Sequence, residues 1–490
     1  MNLVDQRPFR IAVNACLALF AAILCWAAVC WAFRPGQFPV LDELGNMAPF
    51  LDTSYHGVVH LIPSWPYNDR PLGFAFQRLL FDWFGYNYPR EVIPLLAVHF
   101  ANCLMSFALF RRLGASIPIA LGGIALYGTL CTTAQTATYI GAAFDVLCLF
   151  FLLGSTLSFL SEKRGSSILS ALLFLAALRT KEFAIFTPGL LTLLGYLRLP
   201  PMPFPRKVTA LARRLWLHYL FMLVIGLRYL SLMSAYSKAL SPGDPYRMDL
   251  RLTTLLDSLA YYTALIFGAD DSIWMPVPWV IGVALLLALV WALLRRRPGL
   301  AFAVCAFILF LQPISLMPHQ RAVYYTYAPQ LFLILAICLL IEDALALLRR
   351  LPRWRWIAGV AIALVFLAWC VHFRRSAYYR NRVSWNVQIR RTSMRTRLEA
   401  AALPRLGPGT HVYVSHREGT LPWLFLPPCA YLRVVNRQRT IDCEADKPRD
   451  RLFARYAAYP GPKLLLDYND DGSFTVAAHA SAEATPAANR

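Results

Sequence analysis

At 490 residues, 58% hydrophobic and only 15% charged, with a mean hydropathy of +0.48, the chain lies far from soluble proteins, in which about 25% of residues are charged. It reads as an integral membrane protein. The formal net charge of +21 invites a nucleic-acid partner, but the basic residues fall mostly in short clusters between apolar runs, where they set membrane orientation, so no nucleic acid is expected.

Arg7 and Arg10 precede the apolar run Ile11 to Phe33. That run is longer than the roughly 7–15 residues of a signal-peptide core and lacks a clean small-residue cleavage site after it, so it is expected to remain as a first span. Apolar runs bounded by charges predict about eleven membrane helices, each near the ~20 residues that a bilayer requires. They fall at 11–33, 91–110, 116–133, 140–160, 166–179, 183–199, 215–233, 276–294, 300–316, 323–341 and 356–373. Arg111-Arg112, Lys163-Arg164, the Arg198 to Arg214 segment, Arg295-Arg296-Arg297 and the Arg349 to Arg355 segment occupy alternate connections. The positive-inside rule then puts the N-terminus in the cytoplasm and the C-terminal region outside, in the periplasm or beyond, for a protein of the inner membrane.

Shorter apolar stretches need a different place. Counting Leu255 to Phe267 as a span would carry Arg295-Arg296-Arg297 outside, so it is expected in the outer interface. In the 34–90 loop, Pro71 can open a helix with Leu72, Phe76, Leu79, Leu80 and Trp83 on one face and Gln77, Arg78 and Asp82 away from it. Such a helix lies on the membrane surface or packs against protein. The run Pro200-Pro201-Met202-Pro203-Phe204-Pro205 reads as a linker between two halves of the bundle, with its basic continuation against anionic headgroups.

After Phe373 no membrane-length run remains, and residues 374–478 read as a small outer α/β domain after a membrane module over 1–373. A helix is expected over Ser376 to Ala402. Strands are expected at Thr410 to Ser415 and Lys463 to Tyr468, with a turn at Asn469-Asp470-Asp471-Gly472 before a strand at Ser473 to Ala477. Residues 479–490 have the composition of a disordered tail. Cys429 and Cys443 stand in a compartment that permits disulfides, the alternative being two buried thiols. No Cys or His spacing suggests zinc.

Asp42 and Glu43 directly follow the first span, where acids are costly unless solvated, paired or used. One reading is a carboxylate that handles a proton at a membrane-surface active site; the other is a solvated loop pair. Consecutive side chains point in different directions, so one acid would move the proton while its neighbour orients, pairs or assists a divalent cation. Outward basic residues run against the positive-inside trend: Arg70 after Asn68-Asp69, Lys181 within Arg179-Thr180-Lys181-Glu182, and His319-Gln320-Arg321 before Tyr324, Tyr325 and Tyr327. Together they suit a lipid phosphate, while singly each could pair with a neighbouring acid, Lys181 with Glu182 or Arg70 with Asp69. Asp145 falls at the start of the fourth span, where the helix dipole favours an acid on structural grounds alone.

These stretches, taken in order, resemble a family. The acidic pair, Asn68-Asp69-Arg70-Pro71-Leu72-Gly73, the stretch from Glu91 through His99, Asn102 and Arg111-Arg112-Leu113-Gly114, Thr180-Lys181-Glu182 and Arg321-Ala322-Val323-Tyr324-Tyr325 are similar to the GT-C glycosyltransferases. The order is nearest to bacterial relatives of the transmembrane O-mannosyltransferases, although no tetratricopeptide repeats follow the last span. The resemblance implies a GT-C-like polytopic helical fold. It also implies inverting transfer of a hexosyl or pentosyl group from a polyprenyl-phosphate donor, such as an undecaprenyl-phosphate sugar, to an acceptor hydroxyl of a glycan, glycolipid or protein at the outer face. Asp42 takes the place of the general base, with Glu43 beside it. Asp69, Arg70, Asp145, Lys181, Glu182, His319, Arg321, Tyr324 and Tyr325 become the expected substrate-binding residues. A transporter or flippase of lipid-linked glycans would need similar outer cations, but such proteins usually carry ionisable groups or broken helices near mid-membrane.

Overall fold

The computed structural model describes residues 69–85, 88–161, 163, 165–237, 247–266, 278–317 and 322–347, and, after 347, chiefly 410–416, 442–444, 449–469 and 473–480. The expected spans at 11–33 and 356–373, most of the expected helix 376–402, and Asp42, Glu43, His319 and Arg321 lie outside the described residues. Of the described chain, residues 69–74 and 92–347 belong to one compact unit, and residues 75–91 and 410–480 to a second.

The first unit is a helical bundle. Its helices are α2 (Tyr88–Arg112, the start of which lies in the second unit), α3 (Ile117–Thr129), α4 (Cys131–Ala137), α5 (Ala143–Phe159), α6 (Ser166–Leu178), α7 (Thr187–Arg198), α8 (Phe204–Ser237), α9 (Leu252–Ile266), α10 (Pro278–Leu294), α11 (Pro298–Ser315) and α12 (Tyr327–Leu347), all after α1 (Pro71–Phe84). Among the described residues five segments are long and apolar enough to cross a membrane: Arg90–Arg112, Ile140–Phe159, Phe204–Leu232, Pro298–Ser315 and Val323–Ala346. The remaining apolar helices are shorter. On α8 and α10 the outward side chains are apolar, including Trp216, Leu223 and Leu227 on one and Leu286, Leu287 and Leu294 on the other. Exposed leucines in such rows face lipid rather than water.

Several expectations change in detail. The run 116–133 is two helices, because Leu130 adopts an extended backbone between α3 and α4. The buried Thr132 hydroxyl donates to Gln330 Oε1 of α12 at 2.7 Å, and Gln330 Nε2 donates to Thr133, so these two threonines of α4 are satisfied across the bundle. The proline-rich linker ends earlier than expected: α8 starts at Phe204, with Pro205 in its first turn, where a missing N–H costs nothing, and continues for 34 residues. Leu252–Ile266 is a helix as expected, but every residue from Ser258 to Ile266 is buried, so its second half is enclosed on all sides rather than half-immersed in an interface. On α1 the expected faces hold in part: Leu80 is buried and Asp82 exposed, but Gln77 is buried and Trp83 exposed, so the buried face is rotated from the one read in sequence.

Buried polar groups tie the bundle together where sequence shows only apolar runs. Ser155 and Ser170 exchange hydroxyl-to-carbonyl bonds of 2.8 Å between α5 and α6, and Ser170 Oγ lies 2.9 Å from His218 Nε2 of α8. His99 Nδ1 of α2 lies 2.7 Å from the Tyr327 hydroxyl, to which Asn102 Nδ2 also donates at 3.2 Å. With no water in the hydrocarbon, such groups must find partners within the protein, and they fix which helix faces meet.

In the second unit a four-stranded sheet runs in the order β2-β1-β3-β4, with β1 His411–His416, β2 Asp442–Glu444, β3 Lys463–Tyr468 and β4 Phe474–Ala480. The first three strands are parallel and the last is antiparallel to β3. Consecutive residues of β1 and β3 are buried, as in a parallel strand covered on both faces. Helix α13 (Arg449–Ala458) packs Leu452 against Tyr413 and Leu465. The expected strands at 410–415, 463–468 and 473–477 are therefore present, whereas β2 and α13 carried too short or too polar a pattern to be read.

Cys429 and Cys443 are bonded, as the sequence suggested, with their Cα atoms 5.5 Å apart and a separation of 14 positions in sequence. Closing a loop of that length restricts the unfolded chain by about 3 kcal/mol under the chain-entropy model. Peptide mapping without reductant should recover the two cysteines as one linked peptide. Cys429→Ser/Cys443→Ser should lower the stability of this unit by about 2–4 kcal/mol in denaturant titration.

Candidate active site

Three apolar helices of the bundle are entered through short 3-10 turns, and the candidate residues sit in or beside those turns. Ile140–Ala142 leads into α5, whose first turn carries Asp145. Lys181 caps the turn Glu182–Phe186 that leads into α7, and Val323–Thr326, containing Tyr324 and Tyr325, leads into α12. Helix starts leave backbone N–H groups without intrahelical partners and carry the positive end of the dipole, which suits anionic groups.

The charged residues pair crosswise rather than with their sequence neighbours. Lys181 Nζ donates to Asp145 Oδ1 at 2.5 Å, with both side chains only 4% exposed. Arg70 makes a two-pronged contact with Glu182, from Nε at 3.0 Å and Nη2 at 2.7 Å. Arg179 Nη2 lies 3.4 Å from Asp69 Oδ1, and the Tyr229 hydroxyl of α8 donates to the Asp69 carbonyl at 2.8 Å. Lys181 thus reaches back 36 residues and Arg70 forward 112 for partners that the sequence reading had sought one position away.

Aromatic rings complete the surroundings. Lys181 Nζ stands 4.9 Å from the Tyr325 ring centroid, 5.5 Å from that of Tyr324 and 5.9 Å from that of Phe183. Ring faces attract a cation and offer it no competing anion. Arg70 lies over Phe144 at 5.4 Å, and Phe74 packs edge-on against the same ring. Gly73 is needed there: a Cβ at that position would come within 2.1 Å of the Phe144 ring. Burial pushes the Lys181 ammonium below its ordinary pKa, and the Asp145 carboxylate opposes that shift. Burial would raise Glu182, but the Arg70 charge and hydrogen bonds outweigh it and hold the carboxyl down at about 2.

The structure therefore brings together every described member of the expected set: Asp69, Arg70, Asp145, Lys181, Glu182, Tyr324 and Tyr325. Arg179 and Tyr229 join them without having been singled out in sequence. Arg179 was visible inside the Arg-Thr-Lys-Glu run, whereas Tyr229 lies in an apolar helix and gave no signal. Beneath the cluster, Asn102 donates to the Val146 carbonyl at 2.9 Å and to Tyr327, so one side chain ties the residue after Asp145 to the helix that follows Tyr324 and Tyr325. Among the described residues no group of three His, Cys, Asp or Glu side chains is placed to hold a metal ion.

A buried pair stripped of one partner leaves an uncompensated charge. Asp145→Leu and Lys181→Met should each destabilise the protein by about 3–5 kcal/mol, whereas the double variant should recover most of that loss, giving a large coupling in thermal unfolding in detergent. The Arg70–Glu182 pair follows a depressed carboxyl pKa. Its contribution is complete above the unfolded value near 4.5 and declines only as pH falls towards 2.

No protein-family model and no curated protein matches the chain. Among solved structures, ArnT from Cupriavidus metallidurans in the apo state is 16% identical with a TM-score of 0.51, over 94% of this chain and 94% of that one. ArnT from the same organism bound to undecaprenyl phosphate is 15% identical with a TM-score of 0.47, over 92% of this chain and 93% of that one. At such identity the likeness concerns the fold, and it is the apo structure that carries it. The chain thus has the fold of ArnT, and among its described residues five helices are long and apolar enough to cross a membrane.

Proposed function

We propose that the protein is an inverting glycosyltransferase that moves a hexosyl or pentosyl group from a polyprenyl-phosphate donor to an acceptor hydroxyl at the outer face of the inner membrane. The observation that carries this proposal is the convergence of Arg70 and Lys181, 111 positions apart in sequence, at the ends of helices that also present Tyr324 and Tyr325. The fold shared with ArnT and the ordered motifs similar to GT-C glycosyltransferases support the same activity.

An acceptor hydroxyl is a weak nucleophile, and a carboxylate within hydrogen-bond reach would take its proton as the new bond to the anomeric carbon forms. Asp42 is proposed as that base, with Glu43 orienting it. The bond from the anomeric carbon to the phosphate oxygen breaks with its electron pair on oxygen, releasing polyprenyl phosphate. Negative charge grows on that oxygen during the step, and fixed cations stabilise it more in the transition state than in the ground state. Arg70 and Lys181 supply such charge, and His319 and Arg321, just before Tyr324, are proposed to add to it. The described cluster balances the cations Arg70, Arg179 and Lys181 against the acids Asp69, Asp145 and Glu182. A donor phosphate would therefore share cations already held in place by carboxylates, which orders them before the substrate arrives.

Release of polyprenyl phosphate from a labelled donor separates a transferase from a flippase, and no release with any donor and acceptor would count against the proposal. Asp42→Asn should abolish turnover by at least about 100-fold while leaving expression and donor binding near normal, because it keeps the shape and removes the proton acceptor. Arg321→Ala should weaken donor binding and turnover together. For the orientation, reporter fusions after residues 60, 164 and 400 should report outside, inside and outside; an inside signal at 400 would overturn the arrangement of spans.

A further inference from the structure

The end of α5 away from Asp145 has the opposite electrostatic character. Asp145 and Phe159 are separated along the helix by about 21 Å at 1.5 Å per residue. Around Phe159, cations gather, and among the described residues no acid pairs with them. Arg112 Nη1 donates to the Leu157 carbonyl at 2.9 Å, Arg214 Nη2 to the Phe159 carbonyl at 2.5 Å, and Arg198 Nη1 to the Arg112 carbonyl at 3.3 Å. Lys207 Nζ lies 4.6 Å from the Tyr196 ring centroid, two residues before Arg198. These contacts run from one cation to the next across the ends of α2, α5 and α7 and the first turns of α8. Arg206 and Arg213, both exposed, extend the patch along α8. Among the described residues none of Arg112, Arg198, Arg206, Lys207, Arg213 and Arg214 forms an ion pair with a carboxylate.

Their hydrogen bonds go instead to carbonyls at helix C-termini, where a cation is favoured by the dipole but keeps its full charge. Unlike the cluster around Lys181, this patch has no carboxylate partner among the described residues. The length of α8 sets its depth. Its 34 residues extend about 51 Å, some 20 Å more than the ~30 Å of hydrocarbon, and that surplus matches the stretch from Phe204 to about Leu217 that holds Arg206, Lys207, Arg213 and Arg214. Phe204, Val208, Trp216 and Leu220 are exposed on the same helix, so the cations adjoin an apolar and aromatic surface.

We infer that the patch built from Arg112, Arg198, Lys207, Arg213 and Arg214 is a binding site for an anionic glycerophospholipid, its phosphate held by these cations and its acyl chains lying along α8. A soluble phosphate would use the charges and leave the adjoining apolar surface uncovered. A lipid satisfies both. The inference stands apart from the proposed chemistry at the other end of α5.

Native mass spectrometry of the full-length protein in detergent, with equimolar phosphatidylglycerol and phosphatidylcholine, tests it. The wild type should retain the anionic lipid in preference by at least about tenfold, and Arg198→Gln/Lys207→Gln/Arg213→Gln should bring the two close to parity. Arg206→Gln/Arg213→Gln alters only exposed side chains and should show a smaller loss with unchanged thermal unfolding. Arg198→Lys/Arg213→Lys, which keeps the charge, should retain the preference. Polyprenyl phosphate bound at the Arg70 and Lys181 cluster would be unaffected by these changes. Equal retention of both lipids by the wild type, or an undiminished preference in the folded glutamine variants, would overturn the site.

Discussion

The Lys181–Asp145 pair is the interaction on which the arrangement of the site depends. Taking an ammonium and a carboxylate out of water costs several kcal/mol for each ion, and their attraction repays this only when the geometry is tight and the remaining hydrogen-bonding capacity is met. Here the contact is 2.5 Å, Asp145 gains the start of α5, and Lys181 gains the ring faces of Tyr325, Tyr324 and Phe183. Leaving either partner alone would be worse than removing both. Lys181 thereby links the start of α5 through Asp145 and the turn before α12 through the rings of Tyr324 and Tyr325, and losing Asp145 would leave its charge uncompensated.

That register is reinforced from below. His99 and Asn102 on α2 meet Tyr327, and Asn102 also reaches the carbonyl of Val146, while Thr132 and Thr133 engage Gln330 one turn further along α12. Each such group would carry a large penalty if unpaired in a medium without water, so the network tolerates few alternative packings. A charged cluster whose cations are tied to partners on several helices is the preorganised arrangement that the proposed stabilisation of a developing charge would use.

The bundle is electrostatically lopsided. At one end of α5 acids and cations balance in closely spaced pairs; at the other, the described contacts of Arg112, Arg198 and Arg214 go to carbonyls and that of Lys207 to a ring, while Arg297 pairs with Asp343. An excess of cations at one end is the pattern that the positive-inside rule uses to orient a membrane protein, and the proposed lipid site would draw on the same excess.

Composition and hydropathy by themselves determined that the chain is a helical membrane protein, because apolar runs near bilayer length have few other stable arrangements. They also placed most described helices within a few residues and three of the four strands, whose alternating or fully apolar patterns are local. The ordered short motifs pointed to the GT-C fold, and the outward cations singled out Arg70 and Lys181. Local sequence could not choose their partners. Lys181 beside Glu182, and Arg70 beside Asp69, looked like neighbouring pairs, but adjacent side chains point apart, and only the packing of α5 against α6 and the turn at 182–186 brings Asp145 to Lys181 and Glu182 to Arg70. Nor could periodicity find the break at Leu130, the enclosed half of α9 or Tyr229, since each depends on what lies across the bundle. In a membrane the hydrophobic signal says which residues are out of water, not which face lipid and which face protein, and that distinction belongs to the tertiary structure.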